Sequence, residues 1–317
     1  MMFNASKRRS TWQGSFTAIV NPFTTDGELD EPALRANIDL AIEEGVHGLV
    51  ICGHNGETHL MTDSERERAI AICVEQIAGR VPVLAGTGGI STPAVIARTR
   101  AAKNLGANGA MIEPPYFMTP KPADILAHFV SISDAVDLPV MFYNCPSRSG
   151  TDVKPDLFGE LIERCNIVAI KDSAHSYDRT MVMIRDFGAE IGIFIGPAGI
   201  WGFAGIIMGG AGFVDGLQQV IGRPATTLFD LAVERNVEAA VPLQHRLHGL
   251  RTLLFNSPGT SPATIKDAMR LLGRPGGYPR LPLRPMQGAD LRHFEEGLRA
   301  LDIMPESAEK TKRLRQA

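Results

Sequence analysis

Ile-Val-Ala-Ile-Lys-Asp-Ser-Ala-His-Ser occupies residues 167–176. Four apolar residues of strand character, Ile167 to Ile170, run directly into Lys171, and a solvated cation is out of place where a buried strand ends. The run is one of eight. FTAIV from 16, GLVIC from 48, VPVLA from 81, GAMI from 109, LPVMFY from 138, IVAIK from 167, IGIFIG from 191 and AGFVDG from 211 recur along the chain, with helical patterns between them. Strands this continuously apolar have no solvated face, so the alternation predicts a parallel sheet covered by helices. Eight units close most economically into an α/β fold of the (β/α)8 TIM-barrel type. An open doubly wound sheet is the competing architecture.

The helices carry start and stop signals. Thr62 to Glu65 reads as a capping box, followed by Ile70, Cys73, Val74 and Ile77 on one face and closed by Gly79. Pro93 falls in the first turn of the next helix, where its missing N–H does no harm, and Gly106 closes that helix. The first helix begins near Asp30, buries Leu34, Ile38 and Ile42, and stops at Gly45. After residue 222 the strand runs cease. The expected organisation is an N-terminal tail (1–12), the barrel (13–223), a helical C-terminal extension serving as a cap or oligomer surface (224–303) and a loose tail (304–317).

The 317 residues are 44% hydrophobic and 21% charged, with 32 basic against 35 acidic side chains spread along the chain. No electrostatic footprint for nucleic acid or an anionic membrane follows from that balance. No apolar run reaches the roughly 18 residues of a membrane span, and MMFNASKRRSTW lacks the apolar stretch of a signal peptide. A cytoplasmic protein with small-molecule partners is expected. The four cysteines stand apart without a CxxC pair, as suits reduced thiols better than disulfides or zinc.

In a barrel of this kind the strand C-termini and the loops after them form the active face. Lys171 lies there with apolar walls around it, and desolvation lowers a lysine pKa toward a range where neutral amine is available to attack a ketone. A lone lysine at a strand end more often snorkels or pairs with a carboxylate. Tyr143 ends the preceding strand, and neighbouring strands lie about 4.8 Å apart, so its phenol can reach the amine as a proton shuttle; a core aromatic with an exposed hydroxyl is the plain alternative. GHNGE at 53–57 offers backbone N–H groups in a concavity suited to a carboxylate, or is simply a strand-to-helix turn. GTGG at 86–89 lacks dinucleotide spacing, and no phosphate-loop motif exists. His54 with His59, and His245 with His248, have no third ligand nearby and read as solvated or packed histidines.

At this point the chain resembles the dihydrodipicolinate synthase and N-acetylneuraminate lyase family of Schiff-base aldolases, from Gly14 to about residue 300. GHNGE stands for the family's GTTGE or GSTGE, PPYF at 114–117 for PPYY, and AGTG at 85–88, YNCPSRSG at 143–150 and IKDS around Lys171 match. The resemblance implies a (β/α)8 barrel with a helical extension, usually a homotetramer, no metal or organic cofactor, and pyruvate or another 2-oxo acid bound as an imine. By position it makes Lys171 the imine lysine, Tyr143 the proton-relay tyrosine and residues 53–57 the carboxylate-binding turn. Catalytic roles are therefore expected for Lys171, Tyr143 and His54, and substrate contacts for Gly53, Asn55, Gly56, Glu57, Arg148, Tyr116, Gly196, Val214 and Asp215.

The departures set the substrate expectation. His54 and Asn55 replace two threonines and Phe117 the second tyrosine, so the family's Thr-and-two-Tyr relay cannot be built; the reference pKa of His54, near 6.5, suits it to take over proton transfer. Arg148 is retained, where the synthases hold a second carboxylate, although it could instead brace its own turn or a neighbouring subunit. Pro197 and Ala198 follow Gly196 where sialate lyases carry acidic residues. Asp63 and Arg66 stand where lysine-inhibited synthases carry histidines, so lysine inhibition is not expected. Asp215 is either a ligand for a substrate hydroxyl or a rim charge. The leading expectation is an aldolase or dehydratase of a 2-keto-3-deoxy acid. A dihydrodipicolinate synthase, condensing pyruvate with aspartate semialdehyde, is the alternative, and a non-catalytic keto-acid-binding barrel the second.

Overall fold

The computed structural model describes residues 12–196 and 198–304. Eight parallel strands close into a barrel in sequence order: β1 (Gly14–Ala18), β2 (Gly48–Ile51), β3 (Val83–Gly86), β4 (Gly109–Ile112), β5 (Val140–Asn144), β6 (Ile167–Asp172), β7 (Gly192–Ile195) and β8 (Gly212–Asp215). The open sheet is excluded because β1 pairs with β8, Phe16 opposite Val214. β1 begins two residues before the FTAIV run; Gly14 supplies its first pairing, opposite Gly212. A side chain at Gly14 would strike the His47 ring, and its φ of +113° suits glycine alone.

Inward-facing side chains fill the lumen. Phe16, Val50, Leu84, Met111, Met141, Ala169, Phe194 and Val214 form one buried cluster, with the Phe16 and Phe194 rings 5.2 Å apart edge to face. Trp12 belongs to this cluster and is buried, so it is packed where a tail was expected. Outward-facing residues meet the helices. The helix Glu31–Glu43 is capped by Asp30, whose side chain accepts from the Ala33 N–H, and it buries Leu34 and Ile38. The Thr62–Glu65 capping box is formed in both directions, Glu65 N to Thr62 Oγ1 at 3.3 Å and Thr62 N to Glu65 Oε2 at 2.8 Å. Ala78 and Gly79 both turn left-handed to close that helix, with Ala78 as its cap residue.

The expected boundary at 223 falls on the first residue of the helix Arg223–Val233. This helix packs on β1 and on the helix Ala198–Ile207, and Thr226 Oγ1 donates to Glu44 O at 2.8 Å. It completes the barrel, and the extension begins with Val237–Asn256, followed by Ser261–Leu271 and Gly288–Ala300. Met304 packs into the cluster formed by these helices; the remainder of the expected C-terminal tail and residues 1–11 lie outside the described residues. Among the described residues no helix is long and apolar enough to cross a membrane.

Candidate active site

β5 and β6 bring Tyr143 and Lys171 into direct register. Strand alternation turns both inward, while their neighbours Asn144 and Asp172 turn outward and hydrogen-bond each other at 2.8 Å. Asp172 also pairs with Arg179 at 3.3 Å, so the acid of the IKDS segment anchors the strand end instead of facing the lumen. The Lys171 Nζ stands 4.1 Å from the centre of the Tyr143 ring. The lysine is buried, and desolvation pulls its amine down to about 8 against the raising pull of Cys145, Asp215 and Glu113. Burial raises the Tyr143 phenol well above its ordinary value, so it holds its proton and can donate it.

Two contiguous cavities open at this place, of about 300 and 110 Å³. Lys171, Asn55, Gly196, Val214 and Asp215 line the smaller, Gly53 and Tyr116 the larger, and His54, Tyr143, Cys145 and Arg148 border both. Residues 54–56 form one turn of 3-10 helix, in which the Gly56 and Glu57 N–H groups donate to Gly53 O and His54 O at 3.0 Å each. The donors this turn can offer a bound carboxylate are therefore those of His54 and Asn55, the first N–H groups of the turn. Gly56 is needed because a side chain there would strike Asn21.

Two expectations about this turn are corrected. Glu57 lines neither cavity; its side chain is fully buried against Lys266, 2.5 Å away, and Oε2 accepts the Arg280 N–H at 2.8 Å. It pins the turn to the C-terminal helices, so its substrate contact is withdrawn. For His54, burial and then the Arg148 guanidinium push the imidazole down to about 3. The ring stays neutral at physiological pH, and the proton-transfer role inferred from its ordinary pKa does not follow.

Arg148 sits on the short helix Pro146–Ser149. Ser149 braces that turn: its Oγ lies 3.2 Å from Cys145 O and 3.0 Å from Thr151 O, with one proton to donate to either, and accepts from Thr151 N. Among the described residues the Arg148 guanidinium has no such bracing contact and borders the cavities. At the end of β8, Asp215 Oδ1 accepts the Leu217 N–H at 2.9 Å, the carboxyl lies by the Ala198 N–H as well, and burial raises it to about 6. Phe117 is 94% exposed with φ of +78° and lines neither cavity. The sequence reading missed His175 and Arg251 on the wall of the smaller cavity, and Glu113 and Arg66 on that of the larger. Glu113 directly follows a strand end, which was a usable signal; Arg66 and Arg251 lie inside helices and gave none.

A closed (β/α)8 barrel with a buried, depressed lysine beside a phenol at its C-terminal face has the construction of a class I aldolase. The family model of the dihydrodipicolinate synthetase family matches residues 11–301. A 4-hydroxy-tetrahydrodipicolinate synthase of Thermomicrobium roseum is 36% identical over 296 residues, 93% of this chain and 96% of its own. The crystal structure of dihydrodipicolinate synthase from Aquifex aeolicus superposes with a TM-score of 0.87 at 31% identity, covering 93% of this chain and all of that one. The chloride-inhibited dihydrodipicolinate synthase of Acinetobacter baumannii, complexed with pyruvate, gives 0.88 at 28% identity over 93% and 100%. The chain belongs to the dihydrodipicolinate synthetase family and is a lyase of the class I aldolase type.

Proposed function

We propose that the protein joins pyruvate to an aldehyde, or reverses such a joining, through an imine on Lys171. The observation that carries this is the buried Lys171 amine, lowered to about 8, facing Tyr143 at 4.1 Å. The neutral amine adds to C2 of the 2-oxo acid, Tyr143 gives its proton to the departing hydroxyl, and the iminium accepts electrons when the bond beside it breaks. The His54 and Asn55 N–H groups hold the carboxylate of the 2-oxo acid, and Arg148 holds a second acidic end, to which its planar fork is suited. Because the neutral amine attacks, the rate of imine formation at fixed pyruvate rises with pH through about 8 and levels above it. A rate that is flat from pH 6 to 9 would place the nucleophile elsewhere.

Aspartate semialdehyde is the acceptor that the curated relatives favour: those at 33–36% identity are 4-hydroxy-tetrahydrodipicolinate synthases. A 2-keto-3-deoxy acid is the second reading, favoured by the neutral His54 and by the phenylalanine at 117, which brings no hydroxyl to a relay. Assayed side by side, condensation with aspartate semialdehyde should exceed cleavage of 2-keto-3-deoxygluconate by tenfold or more in kcat/KM. The opposite order would give first place to the second reading. We propose a homotetramer in the cytoplasm as the working form, on the family resemblance.

A further inference from the structure

β4 ends at Ile112, and the next residue, Glu113, lines the cavity of about 300 Å³ shared with Tyr143 and Arg148. Its carboxyl lies directly over Gly88, where any side chain would collide with it, so the second glycine of the GTGG segment makes room for this acid. Among the described residues no side chain donates a hydrogen bond to it. Arg66 lines the same cavity, is 7% exposed, and has Nε and Nη1 buried without an acceptor. Its nearest carboxylate, Asp63 at 4.0 Å, is held by Arg98 at 2.7 Å. An acid and a guanidinium with unpaired donors thus border one cavity, contiguous with the one that Lys171 lines, and neither is used in imine formation.

We propose that Glu113 is the acid–base group for the second half of the reaction, giving the proton to the aldehyde oxygen as the carbon–carbon bond forms and recovering it as that bond breaks. This rests on the imine reading for Lys171. In the joining direction the enamine on Lys171 attacks the aldehyde carbon through C3. The enamine electron pair becomes the new bond, the carbonyl pair moves onto oxygen, and that oxygen takes the Glu113 proton, leaving an iminium on Lys171 and a carboxylate at Glu113. Arg66, on the wall of the same cavity, favours that carboxylate electrostatically once it forms. Cleavage runs the same transfers backwards. Burial favours the neutral acid at Glu113, opposed by its own backbone N–H and by Arg66, Lys171 and Arg98, and a carboxyl shifted in that direction is better able to hold the proton it is to give. Glu113, on the cavity shared with Tyr143, supplies the transfer that Tyr143, spent on the imine, does not.

The test separates the two halves. Glu113→Gln keeps the shape and cannot carry the proton; Glu113→Asp keeps the proton on a shorter arm. Borohydride trapping with pyruvate, exchange of the pyruvate methyl hydrogens in heavy water, melting temperature and turnover of the better substrate from the assay above are measured on each. Trapping, exchange and melting temperature of Glu113→Gln should stay near wild type while turnover falls by on the order of 10²- to 10⁴-fold, and Glu113→Asp should recover part of the loss. Wild-type turnover in Glu113→Gln overturns the proposal. Equal loss of trapping and turnover also overturns it, since Glu113 would then serve the imine or the packing. A wild-type enzyme that traps pyruvate yet turns over neither substrate overturns it as well, there being no second step to catalyse. Failure of the wild-type enzyme to trap any 2-oxo acid would instead remove the imine reading itself, before any variant is made.

Discussion

Lys171→Met should lose turnover by on the order of 10⁴-fold or more, the scale seen when a covalent nucleophile is removed, while its melting temperature stays unchanged or rises. Methionine fills nearly the same volume between Tyr143 and the barrel wall. The lysine amine, by contrast, is desolvated, and the fall of its pKa from 10.5 to about 8 marks how much the folded state disfavours its charge. Since the depressed group is a base, the folded protein binds fewer protons than the unfolded chain between about 8 and 10.5. Its stability penalty is fully present below 8 and fades as pH rises through that window. Removing the amine therefore lifts a strain that the fold carries for chemistry. Residual turnover above a few per cent, or a clear drop in melting temperature, would mean that Lys171 is a structural residue.

The second large effect is on stability. Lys266→Met should destabilise the fold by about 3–5 kcal/mol, the cost of leaving one member of a buried ion pair without its partner. Both Lys266 and Glu57 have fully buried side chains. The lysine also donates to Tyr278 O at 2.9 Å and stands 4.3 Å from the centre of the Phe23 ring. Around the same turn Arg280 donates to Leu60 O at 2.9 Å and pairs with Glu65 at 2.6 Å. The C-terminal segment thereby grips the 53–57 turn, and the variant should lose affinity for pyruvate along with stability. Pairing the change with Glu57→Gln should restore a good part of the stability, because no unpaired charge is left buried; a single variant as stable as wild type would show that the pair is dispensable. Chemical denaturation at pH 7 reads both.

The barrel was legible because each strand is buried on both faces and so appears as an apolar run, and the count of eight then leaves closure as the economical solution. Lys171 and Tyr143 were legible for a related reason: each ends such a run, consecutive strands are neighbours, and the register sets them opposite each other. What the sequence withheld depends on burial by residues distant along the chain. His54 looks suited to proton transfer until its surroundings and Arg148 depress it. Glu57 looks like part of a ligand-binding turn until Lys266, more than two hundred residues later, takes its carboxylate. The helix Arg223–Val233 reads as part of the extension because no strand follows it, yet it packs on β1 and on the helix Ala198–Ile207 as well as on the helix Val237–Asn256. Arg66 shows the same limit, since its helical spacing says nothing of its place on the cavity wall or of its buried, unpartnered donors.

Reduction with borohydride in the presence of pyruvate, followed by mass spectrometry of the peptides, tests the central claim most directly. One peptide, spanning Lys171, should carry the reduced three-carbon acid, with labelling faster at pH 8.5 than at pH 6.5, and Lys171→Met should carry none. Label on any other lysine, or none with pyruvate and other 2-oxo acids, would contradict the account.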